Sequence, residues 1–180
     1  DCSQSRGLGD VYKRQSITEM TIDNNNFSSL VTDASNNNWS VQSYGHISTW
    51  DVSAVTNMSN TFRDKTTFNE DISGWNMSNV TNTSYMFSNA SSFNQPIGDW
   101  SMGNVTNTSG MFYIATSFNQ PIRDWNMSKV TNADLMFSDA TSFNQPIGDW
   151  SMGNVTNTIA MFSDATVSYT HLRAHETGYN

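Results

Sequence analysis

Phe93 to Pro121 reads FNQPIGDWSMGNVTNTSGMFYIATSFNQP, opening and closing on the same four residues, FNQP, 25 positions apart. The step holds outward in both directions. Tryptophan recurs at Trp50, Trp75, Trp100, Trp125 and Trp150, isoleucine at Ile47, Ile72, Ile97, Ile122 and Ile147, and valine at Val55, Val80, Val105, Val130 and Val155. Phenylalanine fills two further columns, Phe62, Phe87, Phe112, Phe137 and Phe162, and Phe68, Phe93, Phe118 and Phe143. Self-similarity at a period of this length is the signature of a repeat architecture. A single 25-residue unit cannot bury its apolar face, whereas stacked units set each side chain on its own copy and make continuous ladders. The structural ladder is expected to run through the five tryptophans and through Phe87, Phe112 and Phe137.

Within one unit, Ile97-Gly98-Asp99-Trp100-Ser101-Met102 alternates about Trp100 and Met102, which predicts a short strand with one buried face. Val105, Thr108, Met111, Phe112 and Ala115 fall at spacings of three and four, which predicts a short helical return. Phe118-Asn119-Gln120-Pro121 turns the chain back, because proline cannot donate to a ladder. Strand, helical return and turn in 25 residues make the plan of an α/β, leucine-rich-repeat-like, right-handed solenoid with short parallel strands. A parallel β-helix is the competing fold, since Thr- and Asn-rich turns occur there too.

The register covers residues 44–166. Residues 16–43 lie outside it, and there Phe27, Leu30, Val31 and Ala34 have helical spacing, as expected of an irregular N-terminal cap that shields the open end of the first turn. The two ends have another character. SRGLGDVYKRQ (Ser5 to Gln15) and VSYTHLRAHET (Val167 to Thr177) resemble the two translated strands of a sequencing adapter, so residues 1–15 and 167–180 are set aside as non-native. On this reading the natural segment is a fragment whose array continues beyond it.

With the ends set aside no cysteine remains, His46 is the one histidine, and Arg63, Lys65, Arg123 and Lys129 are the cations. Four cations against thirteen acids leave a net charge of about −9, a surface that repels nucleic acid. Disulfide frameworks and thiolate zinc sites are excluded, and no apolar run is long enough to span a membrane. Nucleophilic catalysis lacks the residues it needs.

The column Asp99, Asp124 and Asp149 raises paired-carboxylate hydrolysis, but identical acids repeated along an exposed edge have no reason for divergent pKa values. Calcium would find hard oxygen ligands in the same column with Ser101 and Asn126, yet the glycine-aspartate nonapeptide of calcium-binding rolls is missing. The expected site is therefore non-catalytic, with neither metal nor cofactor. It is an outward face of Asp99, Ser101, Asp124, Asn126, Asp149 and Ser151, whose weak contacts per turn gain by multivalency. Thr81, Thr106, Thr131 and Thr156, with Asn82, Asn107, Asn132 and Asn157, form a second stripe. Buried, it would be a hydrogen-bonded ladder; exposed, it would be a flat array for polysaccharide or ice.

The string from Phe93 to Pro121 resembles the repeat of BspA-like bacterial surface proteins, whose pattern runs F-N, then W-x-x-S-x-V-T, then M-F-x-x-A-x-x-F-N. The resemblance covers Tyr44 to Ala165. This chain departs from it at Thr83, Thr108, Ala133 and Thr158, which follow Met58 in one column, and at Gly103 and Gly153, which replace serine. What the resemblance implies is a leucine-rich-repeat-like solenoid, secreted or on a cell surface, that serves adhesion or partner binding. The implied partner is a protein or glycan on another surface; the chain itself is expected to be monomeric. The bland alternative is a structural spacer within a larger surface protein.

Overall fold

A computed structural model describes residues 21–165; the adapter-like ends lie outside the described residues. Helix α1, Phe27–Asn36, buries Phe27, Leu30, Val31 and Ala34, the four apolar positions at helical spacing. Strands β1, Ser40–Val41, and β2, Gly45–His46, pair antiparallel, with Ser40 opposite His46. A short 3-10 turn, Ile47–Thr49, then leads into the repeats.

Each repeat is one coil, hydrogen-bonded to the next along two lines. The first is a column of parallel bridges, Asn57 to Asn82 to Asn107 to Asn132 to Asn157. Beside it the amide N–H of Thr81, Thr106, Thr131 and Thr156 donates to the threonine carbonyl one coil earlier, at 2.8–2.9 Å. The second line lies in the segment expected to be helical, and it is not a helix. In the coil from Val105 to Ala115, alternate amides leave the coil: Thr108, Gly110, Phe112 and Ile114 donate to the carbonyls of Asn132, Asp134, Met136 and Ser138. The amides between them bend back three residues, Met111 to Thr108, Tyr113 to Gly110 and Ala115 to Phe112. The result is a ribbon of overlapping β-turns.

The physical reason is the backbone at two positions per coil. Gly110 and Ile114 have φ of +55° and +58°, and their counterparts Asn60 and Asp64, Tyr85 and Asn89, Leu135 and Asp139, and Ala160 and Asp164 are also positive. A left-handed residue every fourth position stops an α-helix from propagating and is the mark of a turn with positive φ at its third residue. Val105, Thr108, Met111, Phe112 and Ala115 are nonetheless all buried, so spacings of three and four here arise from turns. The expected strand also differs. Trp100 and Met102 point in while Asp99 and Ser101 point out, but Trp100 N–H turns back to Ile97 O, and the parallel pairing falls further on, at Asn107.

Aromatic rings fill the interior. Phe62, Phe87, Phe112, Phe137 and Phe162 stack at 5.4–5.7 Å from coil to coil, and Phe68, Phe93, Phe118 and Phe143 at 5.7–6.0 Å. Within a coil the two columns lie face to face, as with Phe87 on Phe93 at 3.9 Å. The tryptophan rings are buried at their edge. Trp125 and Trp150 are parallel at 6.3 Å, and Trp100 and Trp125 also rest on Phe87 and Phe112 of the coil before. Each indole then does what the backbone on that side does not: Trp75, Trp100, Trp125 and Trp150 donate Nε1–H to the carbonyl of Ile47, Ile72, Ile97 and Ile122 in the preceding coil. A buried N–H without a partner is costly, so this bond fixes both ring and register.

At the N-terminal end the role of a preceding coil falls to residues 21–41. Asp23 bridges Ala54 in parallel, and the Asn24 side chain accepts from the amides of Thr56 and Asn57 while donating to Thr56 Oγ1. Phe27 of α1 meets Trp75 edge-on, and Trp39 meets Phe68 at 4.6 Å. Among the described residues no helix is long and apolar enough to cross a membrane.

Candidate functional site

Asp99, Ser101, Asp124, Asn126, Asp149 and Ser151 are all exposed, and they flank the buried Trp100, Trp125 and Trp150 on either side. The alternation that placed them outward follows from the tryptophan bond: with the indole held inward, its two neighbours must face water. The face is not a uniform acidic edge. Arg123 of one coil forms an ion pair with Asp149 of the next through Nε and a terminal guanidinium nitrogen. Asn126 Oδ1 accepts from the amide of Ser128, which holds that side chain against its own turn.

The other described cations are engaged as well. Lys129 Nζ donates to Asn104 Oδ1, Lys65 Nζ to Ser35 Oγ, and Arg63 to Asn60 Oδ1 with Asp64 beside it. Positive charge is thus spent within the coils, and the outward excess is acidic. Asp51 and Asp71, both exposed, have pKa values held below the ordinary carboxylate value, chiefly by the side chains of Ser53 and Ser73 and then by those residues' amides. A carboxylate that accepts such bonds is favoured in its charged form.

The threonine stripe is exposed rather than buried, yet it is a hydrogen-bonded ladder. The hydroxyls of Thr81, Thr106, Thr131 and Thr156 donate to the threonine carbonyl one coil earlier at 3.1–3.2 Å. Asn82, Asn107, Asn132 and Asn157 each accept from the amide two residues on. A third ladder escaped the sequence reading. Asn69, Asn94 and Asn119 accept through Oδ1 from the amides of Asn94, Asn119 and Asn144, and Gln95, Gln120 and Gln145 donate to the asparagine carbonyl of the preceding coil. Its signal was the Asn column, Asn69, Asn94, Asn119 and Asn144, with Gln following it in the three FNQP repeats.

His46 also acquires partners that composition could not supply. Its Nδ1 lies 2.8 Å from Ser48 Oγ, and Nε2 lies 3.3 Å from Glu70 Oε2. The line of Ser, His and Glu has the outline of an activated nucleophile, but Nδ1 also accepts the amide N–H of Ser48 and so caps the 3-10 turn. The histidine fastens β2 to the second coil. Among the described residues no group of three or more His, Cys, Asp or Glu gathers as a metal would need.

A period of 25, ring columns and side-chain ladders describe a family of repeats, and comparison with known sequences agrees. The sequence model of a family described as "Mycoplasma protein of unknown function, DUF285" matches residues 10–116 and again residues 97–177. No curated protein and no solved structure matches the chain. The two matches overlap inside the repeat array and together span most of its length, so the chain belongs to this family of repeats.

Proposed function

We propose that the chain is a non-catalytic repeat module of a BspA-like surface protein, secreted or on a cell surface, which binds a protein or glycan through its outward columns. The architecture proposed for it is a right-handed, leucine-rich-repeat-like solenoid, with a parallel β-helix as the competing description. The absence of helical returns in the described coils favours the latter. One observation carries the functional reading: Asp99, Asp124 and Asp149, with Ser101, Asn126 and Ser151, are exposed at one fixed step on a scaffold whose every coil is bonded to the next. Contacts that are weak singly add up when a rigid frame presents them together. All three acids are solvent-exposed, Asp149 in its pair with Arg123, and exposed carboxylates suit binding better than acid-base chemistry.

Charge reversal at Asp99, Asp124 and Asp149, followed in a cell-attachment assay, tests the proposal. Attachment should fall progressively with each reversal, and undiminished attachment by the triple variant would leave a spacer as the better reading. The exposed threonine column favours one further possibility, a regular surface for polysaccharide or ice. With each hydroxyl hydrogen committed to a carbonyl, that column offers methyl groups and lone pairs at a constant spacing.

A further inference from the structure

The outward side of the turn ribbon breaks the repeat in a directed way. Its left-handed positions carry Asn60, Asp64, Asn89, Gly110, Asp139 and Asp164, the residue types that tolerate positive φ, and a small Ala160. Three others carry large apolar side chains instead: Tyr85 at +54°, Ile114 at +58° and Leu135 at +54°. For a β-branched residue such as Ile114 that conformation is an outlier. The strain is not repaid by full burial, because all three side chains remain partly exposed.

These residues are neighbours. Tyr85 reaches over Gly110 of the next coil, where a Cβ would lie 2.3 Å from its ring, and Leu135 occupies the same column one coil further on. Tyr113 and Ile114 lie in the coil of Gly110, and Ile159, 73% exposed in the last described coil, follows Asp134 in the adjoining column. Small buried side chains, Ser88 and Ser138, flank Tyr113 in its column. The half-buried Tyr85, Tyr113, Ile114 and Leu135, with the exposed Ile159, make an interrupted apolar paving over four successive coils.

Its border is acidic. Asp64, Asp134 and Asp139 surround it, and Asp134 Oδ1 is buried without a hydrogen-bond donor. The one cation at this edge, Arg63, is held by Asp64 and lies over the Tyr85 ring at 5.3 Å.

We infer that this paving docks a basic, apolar segment of a partner protein, on a different side of the coil from the column of Asp99, Asp124 and Asp149. Aliphatic and aromatic side chains at the centre with acids at the rim match a segment carrying leucine-like and lysine-like residues. A neutral sugar would use the tyrosines but gain little from Ile114, Leu135 and Ile159.

The test uses the full chain and an amphipathic Lys/Leu peptide, with a Glu/Leu peptide and a neutral oligosaccharide as controls. The wild-type chain should bind the Lys/Leu peptide alone. Ile114→Asn with Leu135→Asn should weaken that binding about tenfold or more while the denaturation midpoint stays level or rises, since asparagine suits both backbones. Asp71→Asn, at an exposed acid outside both faces, should leave the affinity within about twofold. Absence of peptide binding, equal loss in Asp71→Asn, or a lowered midpoint in the double variant would overturn the inference. So would binding of the oligosaccharide that the double variant abolishes, which would make the partner a glycan.

Discussion

Replacing Trp100 separates two jobs that one side chain performs. The ring is 4% exposed and lies against Phe87 at 6.2 Å, and its Nε1–H donates to Ile72 O at 3.2 Å. Trp100→Ala removes both and should cost about 3–5 kcal/mol, the range for truncating a buried aromatic side chain. Trp100→Phe keeps most of the ring contact and loses the bond. Ile72 O still accepts from the amide of Trp75 at 3.1 Å, so the carbonyl is not left bare, and the loss should be about 1–2 kcal/mol, combining one net hydrogen bond with a small packing defect. Urea unfolding followed by far-ultraviolet circular dichroism, with slopes compared before midpoints, gives both numbers. A cost under about 1 kcal/mol for Trp100→Ala would place the ring at the surface. Equal costs for the two variants would show that ring packing contributes nothing and would refute the division of labour.

Two further outcomes follow from local geometry. Gly110→Ala should destabilise by about 1–3 kcal/mol, because the new methyl group meets both a positive φ and the Tyr85 ring; Tyr85→Ser in the same chain should recover part of the loss in a thermal melt. Asp51 and Asp71 have folded pKa values below the ordinary 3.8, so their contribution is present above that value and is lost as pH falls through the depressed folded values. Acid unfolding of the double variant Asp51→Asn, Asp71→Asn should accordingly show a shallower decline below pH 3.8 than that of the parent chain.

The columns were legible because burial of one side chain per coil imposes a strict period, and Trp100 with its flanking Asp99 and Ser101 gives inward and outward sides directly. The turn ribbon was not, since residues at spacings of three and four are buried equally well by a helix and by overlapping turns. The distinguishing signal was present: Asp64, Asn89, Asp139 and Asp164 share a column, and Asn60 and Gly110 share the one four residues before it, as left-handed backbone requires. The indole bonds to Ile47, Ile72, Ile97 and Ile122 carried no sequence signal, because the donor and its acceptor carbonyl belong to different coils and any residue supplies a carbonyl. The candidate face was legible as exposure. The pairing of Arg123 with Asp149 was not, as it depends on where the 25-residue step sets the two side chains.

Coil-on-coil register is the claim beneath all of this, and engineered cysteine pairs measure it directly in a Cys2→Ser background. Ser101→Cys with Asn126→Cys places thiols in adjacent coils beside the indole column, whose Trp125 and Trp150 rings stack at 6.3 Å, a separation within the reach of a disulfide. Ser101→Cys with Ser151→Cys skips a coil and leaves about twice that separation, beyond that reach. Mild oxidation should close the first pair within the monomer and leave the second reduced. Closure of the second pair as readily as the first, or failure of the first in a folded chain, would contradict the 25-residue stacking.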